Sequence, residues 1–272
     1  MGRGSSGAVS GGGGGAGGGA QDFPEAFAPG KDFQAVGGVD HNARTVSRTT
    51  QREWDQFSAP YQTGVTQADE DAIMRDWSPR NGLTGYVRTQ NSFAINKVLY
   101  DPANDGKSVD QMFSKQSDRK TVKTMDKLID SHTTQSDGSY TRFCGSNALQ
   151  STYGLTDTQM QTLMQAPGMN KRQIGQLSKA MSGSKGFNPA YTSTSANRTL
   201  NAFSNPSAPQ SKGFIFERKI SVKAGTKAFA PRKNAQESEV IFGRRAQTKI
   251  TGISVANDGH IVIHEVFTGY RP

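Results

Sequence analysis

Near Gly186 the chain changes texture, and no other feature limits its fold as strongly. Upstream, apolar residues recur at helical spacing: Trp54, Phe57 and Tyr61, then Ala72, Ile73 and Trp77, then Phe93 to Tyr100, then Val122, Met125, Leu128 and Ile129. Pro79, Asn81-Gly82 and Asp101-Pro102 punctuate these groups as turns. Several short helices are therefore predicted from about Ser47 to His132. Two more are predicted over Asp157–Leu163 and Lys171–Met181, the last stopped by Gly183. Beyond Gly186 the apolar residues are β-branched or aromatic and fall in short segments: Gly213–Val222, Glu239–Phe242, Lys249–Val255 and His260–Phe267. Phe214 and Phe216, then Ile220 and Val222, alternate as strand residues do, and Asn257-Asp258-Gly259 reads as a turn before His260. Helices followed by hairpin-linked, antiparallel strands make an α+β fold.

The head of the chain cannot belong to that fold. Residues 1–20 hold eleven glycines, including the run Gly11 to Gly15, and ordering such a segment costs more conformational entropy than its few side chains can offset. Residues 1–45 are expected to be a flexible glycine-rich tail, and 46–272 one domain with its own core. Met1-Gly2-Arg3-Gly4-Ser5-Ser6 fits the loose N-myristoylation pattern, but glycine-rich starts match it by chance, and a tether is the simpler reading. Arg3 is followed by glycine and serine instead of the apolar stretch of a secretory signal, and no apolar run approaches the roughly 20 residues of a membrane span. A soluble chain is expected. Its single cysteine, Cys144, excludes an intramolecular disulfide and a multi-cysteine zinc site. A net charge of +9 suits an acidic partner or a polyanionic ligand, but the cations are spread over Arg44 to Arg52, Lys115 to Lys120 and Lys219 to Arg245. Nucleic acid is thus compatible but not indicated.

Several short motifs fail on inspection. Gly106-Lys107-Ser108 resembles the end of a phosphate-binding loop, yet the glycine required five residues earlier is Asp101. A calcium loop starting at Asp101 fails at Ala103 and Met112. His260 and His264 lie four apart in a predicted strand, too far along it to share a metal, and no metal site is expected. Cys144, with no histidine in a suggestive context, reads as a small buried strand residue.

Three further pieces occur in order: Tyr140-Thr141-Arg142-Phe143-Cys144-Gly145, Gly186-Phe187-Asn188-Pro189-Ala190-Tyr191-Thr192-Ser193-Thr194-Ser195, and Gln236-Glu237-Ser238-Glu239-Val240-Ile241-Phe242. Taken singly each has a bland reading: a strand-end salt bridge for Arg142, a polar strand for Ser193 to Ser195, a solvated strand face for Glu237 and Glu239. In this order and spacing the set resembles the arginine, serine-threonine-serine, glutamate class of mono-ADP-ribosyltransferases, which includes the enzymatic components of clostridial binary toxins and related bacterial and phage enzymes. The resemblance runs from Ser47 to Pro272 and is clearest after Tyr140.

It implies two packed, largely antiparallel sheets around an NAD cleft, NAD as co-substrate without a metal, and transfer of ADP-ribose to a protein. NAD is anionic and loses nicotinamide through an oxocarbenium-like transition state, so the site needs a cation for phosphate and a carboxylate beside the ribose. Arg142 and Glu239 fit those roles. Ser193 would hold the carboxylate, with Thr194 and Ser195 supporting the backbone around it. By resemblance Phe203 stacks on nicotinamide and Phe143 offers its backbone to the carboxamide. No arginine follows Phe203 closely, since Ser204-Asn205-Pro206 occupies that stretch, and the phosphate grip departs there from the toxin pattern.

In this class the residue two before the catalytic glutamate is glutamate where arginine is modified and glutamine where asparagine is. Here it is Glu237. A guanidinium is always protonated and a poor nucleophile, so a second carboxylate to attract it and take its proton makes chemical sense. The resemblance therefore implies an arginine acceptor, recognised through the loop Phe229 to Gln236, whose Arg232 and Lys233 suit an acidic rim around the target. Two alternatives stay open: an NAD glycohydrolase, which uses water, and an inactive basic binding protein that retains the transferase fold. Cytoplasmic action and delivery to a host cell as effector, toxin or virion protein are both compatible with the chain.

Overall fold

The structure, a computed structural model, describes residues 65–77, 90–134, 137–196, 213–231 and 239–272. The expected tail, the Trp54-Phe57-Tyr61 group, the turns at Pro79 and Asn81-Gly82, Phe203 and Glu237 lie outside them. Among the described residues four α-helices come first: α1 (Gln67–Trp77), α2 (Gln90–Tyr100), the short α3 (Val109–Met112) and α4 (Gln116–Asp130). Strand β1 (Gly138–Cys144) follows, then α5 (Ser146–Tyr153), α6 (Asp157–Met164) and α7 (Lys171–Met181). The rest is strand: β2 (Lys185–Asn188), β3 (Thr192–Ser195), β4 (Phe216–Val222), β5 (Glu239–Phe242), β6 (Ala246–Val255) and β7 (Ile261–Tyr270). None of the described helices is long and apolar enough to cross a membrane.

Local chemistry sets these boundaries. Helices α6 and α7 start with capping boxes: Thr156 exchanges hydrogen bonds with Gln159, and Asn170 with Gln173, which satisfies orphan N–H groups of each first turn. Helix α5, not predicted above, ends at Gly154, whose φ of 60° is the left-handed stop that glycine adopts without strain. The predicted turn at Asn257-Asp258-Gly259 does link β6 to β7 as an antiparallel hairpin, with Val255 opposite Ile261.

The strands form one hydrogen-bonded sheet in the order β2-β6-β7-β4-β1-β3-β5. Pairing is antiparallel except between β4 and β7, so the sheet is mixed. The two sheets expected from the resemblance are thus joined, and among the described residues one registered pair, Thr141 opposite Ser195, connects β1 to β3. Strand β4 does not pair with its sequence neighbours, contrary to a simple run of hairpins. Its alternation specifies a buried face but not which strand lies beside it.

Three apolar clusters hold the layers. Helices α5 to α7 pack Leu149, Leu163 and Met181 onto Cys144, Phe216, Ile250 and Ile263 of the sheet. Helices α1 to α4 pack Ile73, Ile95, Val122, Met125 and Leu128 against Tyr191, Phe229 and Ile241, beside the β3-β5 pair. Between the two parts of the sheet lie Tyr140, Ile220, Val222, Val240 and Phe242. Cys144 is buried at the end of β1. Within the first layer Arg218 and Glu265 form a buried two-point ion pair at 2.7 and 2.8 Å. Burial opposes the Arg218 charge, but the Glu265 carboxylate outweighs it and holds the guanidinium protonated. The Arg218 guanidinium lies 5.8 Å from the ring centre of Tyr153, whose hydroxyl is 2.9 Å from that of Thr248. Gly186 is needed here, since a Cβ would sit 2.6 Å from the Tyr153 ring and 2.8 Å from the Thr248 hydroxyl.

Candidate active site

The three motifs meet on neighbouring strands. Thr141 of β1 faces Ser195 of β3, and Ser195 faces Glu239 of β5, so one register line crosses all three. Residues directly opposite in an antiparallel pair share a face, as do residues two apart on one strand. Ser193 and Glu239 are therefore diagonal neighbours on one face, and the Ser193 hydroxyl donates to Glu239 Oε1 at 2.6 Å. That length is in the range of a charge-assisted O–H···O contact. Glu239 is only 3% exposed. On the opposite face Thr194 donates to the carbonyl of Val240 at 2.7 Å and pins β3 to β5. Ser195 is buried beside Glu239.

Arg142 follows Thr141 along β1, is half-buried and lies opposite Arg218 of β4. The β1-β3 ladder ends with Thr141 and Ser195. Had the antiparallel register continued, Phe143 would stand against Ser193. The strands instead part at Arg142-Phe143 on one side and Ser193 on the other. The Phe143 ring is core, edge-on to His260 at 4.8 Å between centroids, so what this residue has to offer a ligand is its backbone.

His260 and His264 go separate ways. The first packs on Phe143, while Nε2 of the second lies 2.8 Å from the Ser254 hydroxyl. No three His, Cys, Asp or Glu side chains among the described residues converge as a metal site. Phe203, Glu237 and residues 232–236 of the predicted loop lie outside the described residues, while Phe229 to Pro231 at its start are described. Phe229 and Ile241 exchange backbone hydrogen bonds of 2.9 and 2.8 Å, and Glu239 begins β5 two residues before Ile241. Phe229 is thus paired with Ile241, two residues along β5 from Glu239.

Sequence reasoning missed three residues that flank this site. Asp126 of α4 binds both Tyr191, just before β3, and Arg244, just after β5. The available signal was an acid set into the apolar stripe of Val122, Met125 and Ile129.

A family model described as ADP-ribosyltransferase exoenzyme matches residues 70–268. Among solved structures the fold is similar to C3stau2 from S. aureus, determined with NAD: TM-score 0.56, 18% identity, 84% of this chain and 100% of that one covered. It is also similar to the C3 exoenzyme of Clostridium limosum, with TM-score 0.53, 20% identity and coverage of 80% and 92%. A third likeness is to the enzymatic component C2-I of the Clostridium botulinum C2 toxin, with TM-score 0.51, 12% identity and coverage of 81% and 46%. At these identities the structural matches speak for the fold. Compared with curated proteins by sequence, the chain matches none.

Proposed function

This chain belongs to the ADP-ribosyltransferase exoenzyme family, and we propose that the acceptor of its ADP-ribose is an arginine side chain of another protein. The observation that carries the NAD-cleaving part of the reading is the 2.6 Å hydrogen bond from Ser193 to the buried Glu239, on the register line of Thr141 and Ser195.

NAD supplies the ADP-ribosyl group and the nicotinamide leaving group. The ribose–nicotinamide bond breaks with its electron pair leaving on nicotinamide, so positive charge grows on the ribose. Glu239 would stabilise that charge and hydrogen-bond a ribose hydroxyl, held in place by Ser193. Arg142 would face the phosphates, and the Phe143 backbone the carboxamide. Thr194 and Ser195 would keep β3 in register, and Phe203 would cover the nicotinamide ring. Glu237 would draw in the acceptor guanidinium and accept the proton it loses as nitrogen bonds to the anomeric carbon. The residue type at 237 is what supports arginine over asparagine. Arg232 and Lys233 on the intervening loop favour a target with acidic residues around that arginine. The catalytic unit would span residues 46–272 and the tail 1–45 would act as a tether, with delivery to a host cell the setting that toxin-like relatives suggest.

The test is incubation with labelled NAD and candidate proteins, followed by mapping of the modified residue by mass spectrometry. Arginine adducts are expected. Glu237→Gln should lower arginine transfer at least about tenfold while NAD hydrolysis persists. Adducts on asparagine would remove the acceptor assignment, equal loss of both activities would make Glu237 a shaper of the cleft, and nicotinamide release without adducts would identify a glycohydrolase.

A further inference from the structure

The strand pair that bears Ser193 and Glu239 is weakly tied to the rest of the sheet. Among the described strands β5 is an edge, β3 and β5 share four residue pairs, and β3 meets β1 at one. A one-residue slip of β3 against β5 would turn Ser193 to the opposite face and away from Glu239. Something must hold this ribbon in register, and Thr194 provides one such contact.

At the far end of the ladder, where Thr192 faces Phe242, a second and stronger one closes it. Tyr191 immediately precedes β3, and its hydroxyl donates to Asp126 Oδ1 at 2.7 Å. Arg244 lies two residues beyond β5, and its Nε approaches both Asp126 oxygens at 3.1 and 3.0 Å, with Nη2 at 2.9 Å from Oδ2. One carboxylate on α4 thus binds the incoming end of β3 and the outgoing end of β5. Asp126 is 27% exposed and Tyr191 is buried, so this pair is less screened than a surface salt bridge. Burial, then the adjacent Asp126 charge, pushes the Tyr191 pKa well up and keeps its hydroxyl a donor.

We propose that Asp126 is a positioning residue for NAD cleavage, acting through Tyr191 and Arg244 to hold Ser193 against Glu239. The proposal rests on the reading of Ser193 and Glu239 as the pair beside the cleaved bond. Asp126 touches neither of them, so its loss misplaces the carboxylate without removing a contact to NAD.

A double-mutant cycle on the full chain tests this, with initial rates of NAD cleavage measured well below the melting temperature. Asp126→Asn is expected to lower kcat about tenfold, in transfer and hydrolysis alike, with KM for NAD changed less than about twofold. In a Ser193→Ala background the same substitution should cost less than about twofold, because the contact it protects is already gone. Tyr191→Phe, which keeps the buried ring, should show the same split at about threefold, and so covers the case of an unstable Asp126 variant. A tenfold loss that persists in the Ser193→Ala background, or unchanged kcat in folded Asp126→Asn and Tyr191→Phe, overturns the proposal. If Ser193→Ala and Glu239→Ala both cleave NAD at the wild-type rate, the functional reading falls and the proposal with it.

Discussion

Of the four glutamates buried among the described residues, Glu265 and Glu239, 1% and 3% exposed, sit in regions that hold the carboxylate differently. Glu265 sits under α5 to α7, where Arg218 grips both its oxygens, Tyr153 lies beside the pair, and Gly186 leaves no room for another atom. Glu239 starts β5, an edge among the described strands, and lies in register with Ser195 of β3 and, across β3, with Thr141 of β1. Its Oε1 accepts a hydrogen bond from the Ser193 hydroxyl, whereas Glu265 meets a guanidinium on both oxygens. A carboxylate locked to a guanidinium has little left to give a reacting group. On the reading proposed for Glu239, a carboxylate positioned by a hydroxyl would face the positive charge that develops on the ribose. Burial alone does not mark a functional acid; what the surrounding residues do with its charge does.

The two sites should therefore fail in opposite ways. Glu265→Gln strands the Arg218 charge in the core and is expected to cost about 3–5 kcal/mol of stability, read by denaturant unfolding. Joint replacement by Arg218→Met and Glu265→Leu should restore most of it. Folded Glu265→Gln protein should cleave NAD within about twofold of the wild-type rate, and a selective loss of activity would break the contrast. Glu239→Ala should do the reverse, lowering NAD cleavage by more than about a hundredfold, the scale of removing a major transition-state contact, with unfolding near wild type. Near wild-type cleavage would end the assignment of Glu239. Ser193→Ala, which removes the hydroxyl donor and leaves the carboxylate, should fall between, at about tenfold in kcat. Lys123→Ala, which breaks an exposed 2.8 Å ion pair with Asp110 on the helical side, should move the melting temperature by no more than about 2 °C and leave activity unchanged.

Much of the architecture was legible because it rests on local patterns. Helices α6 and α7 and the β6-β7 hairpin were readable from apolar spacing, caps and an Asn-Asp-Gly turn. Helix α5 was not, since its buried positions are only Leu149 and Tyr153 and it starts at Gly145, which has no side chain to cap it; the left-handed Gly154 was its one clear signal. The parallel β4-β7 pair was also hidden, because alternation names a buried face and is silent about the neighbour. In the site, Ser193 and Glu239 were named from their motifs and the structure brings them within hydrogen-bonding distance. Asp126 was passed over because an acid in a helix is usually solvated, and its partners lie 65 and 118 positions away.

By itself the sequence determined most kinds of element and their order, and it named candidate site residues, because helical and strand periodicity and residue chemistry are local properties. Only the tertiary structure decided that Thr141, Ser195 and Glu239 share one register line, that among the described residues β1 meets β3 at a single pair, and that Arg218 binds Glu265 while Ser193 donates to Glu239. Those outcomes depend on which distant surfaces bury one another, and desolvation acts on the whole packed molecule, not on any window of the chain.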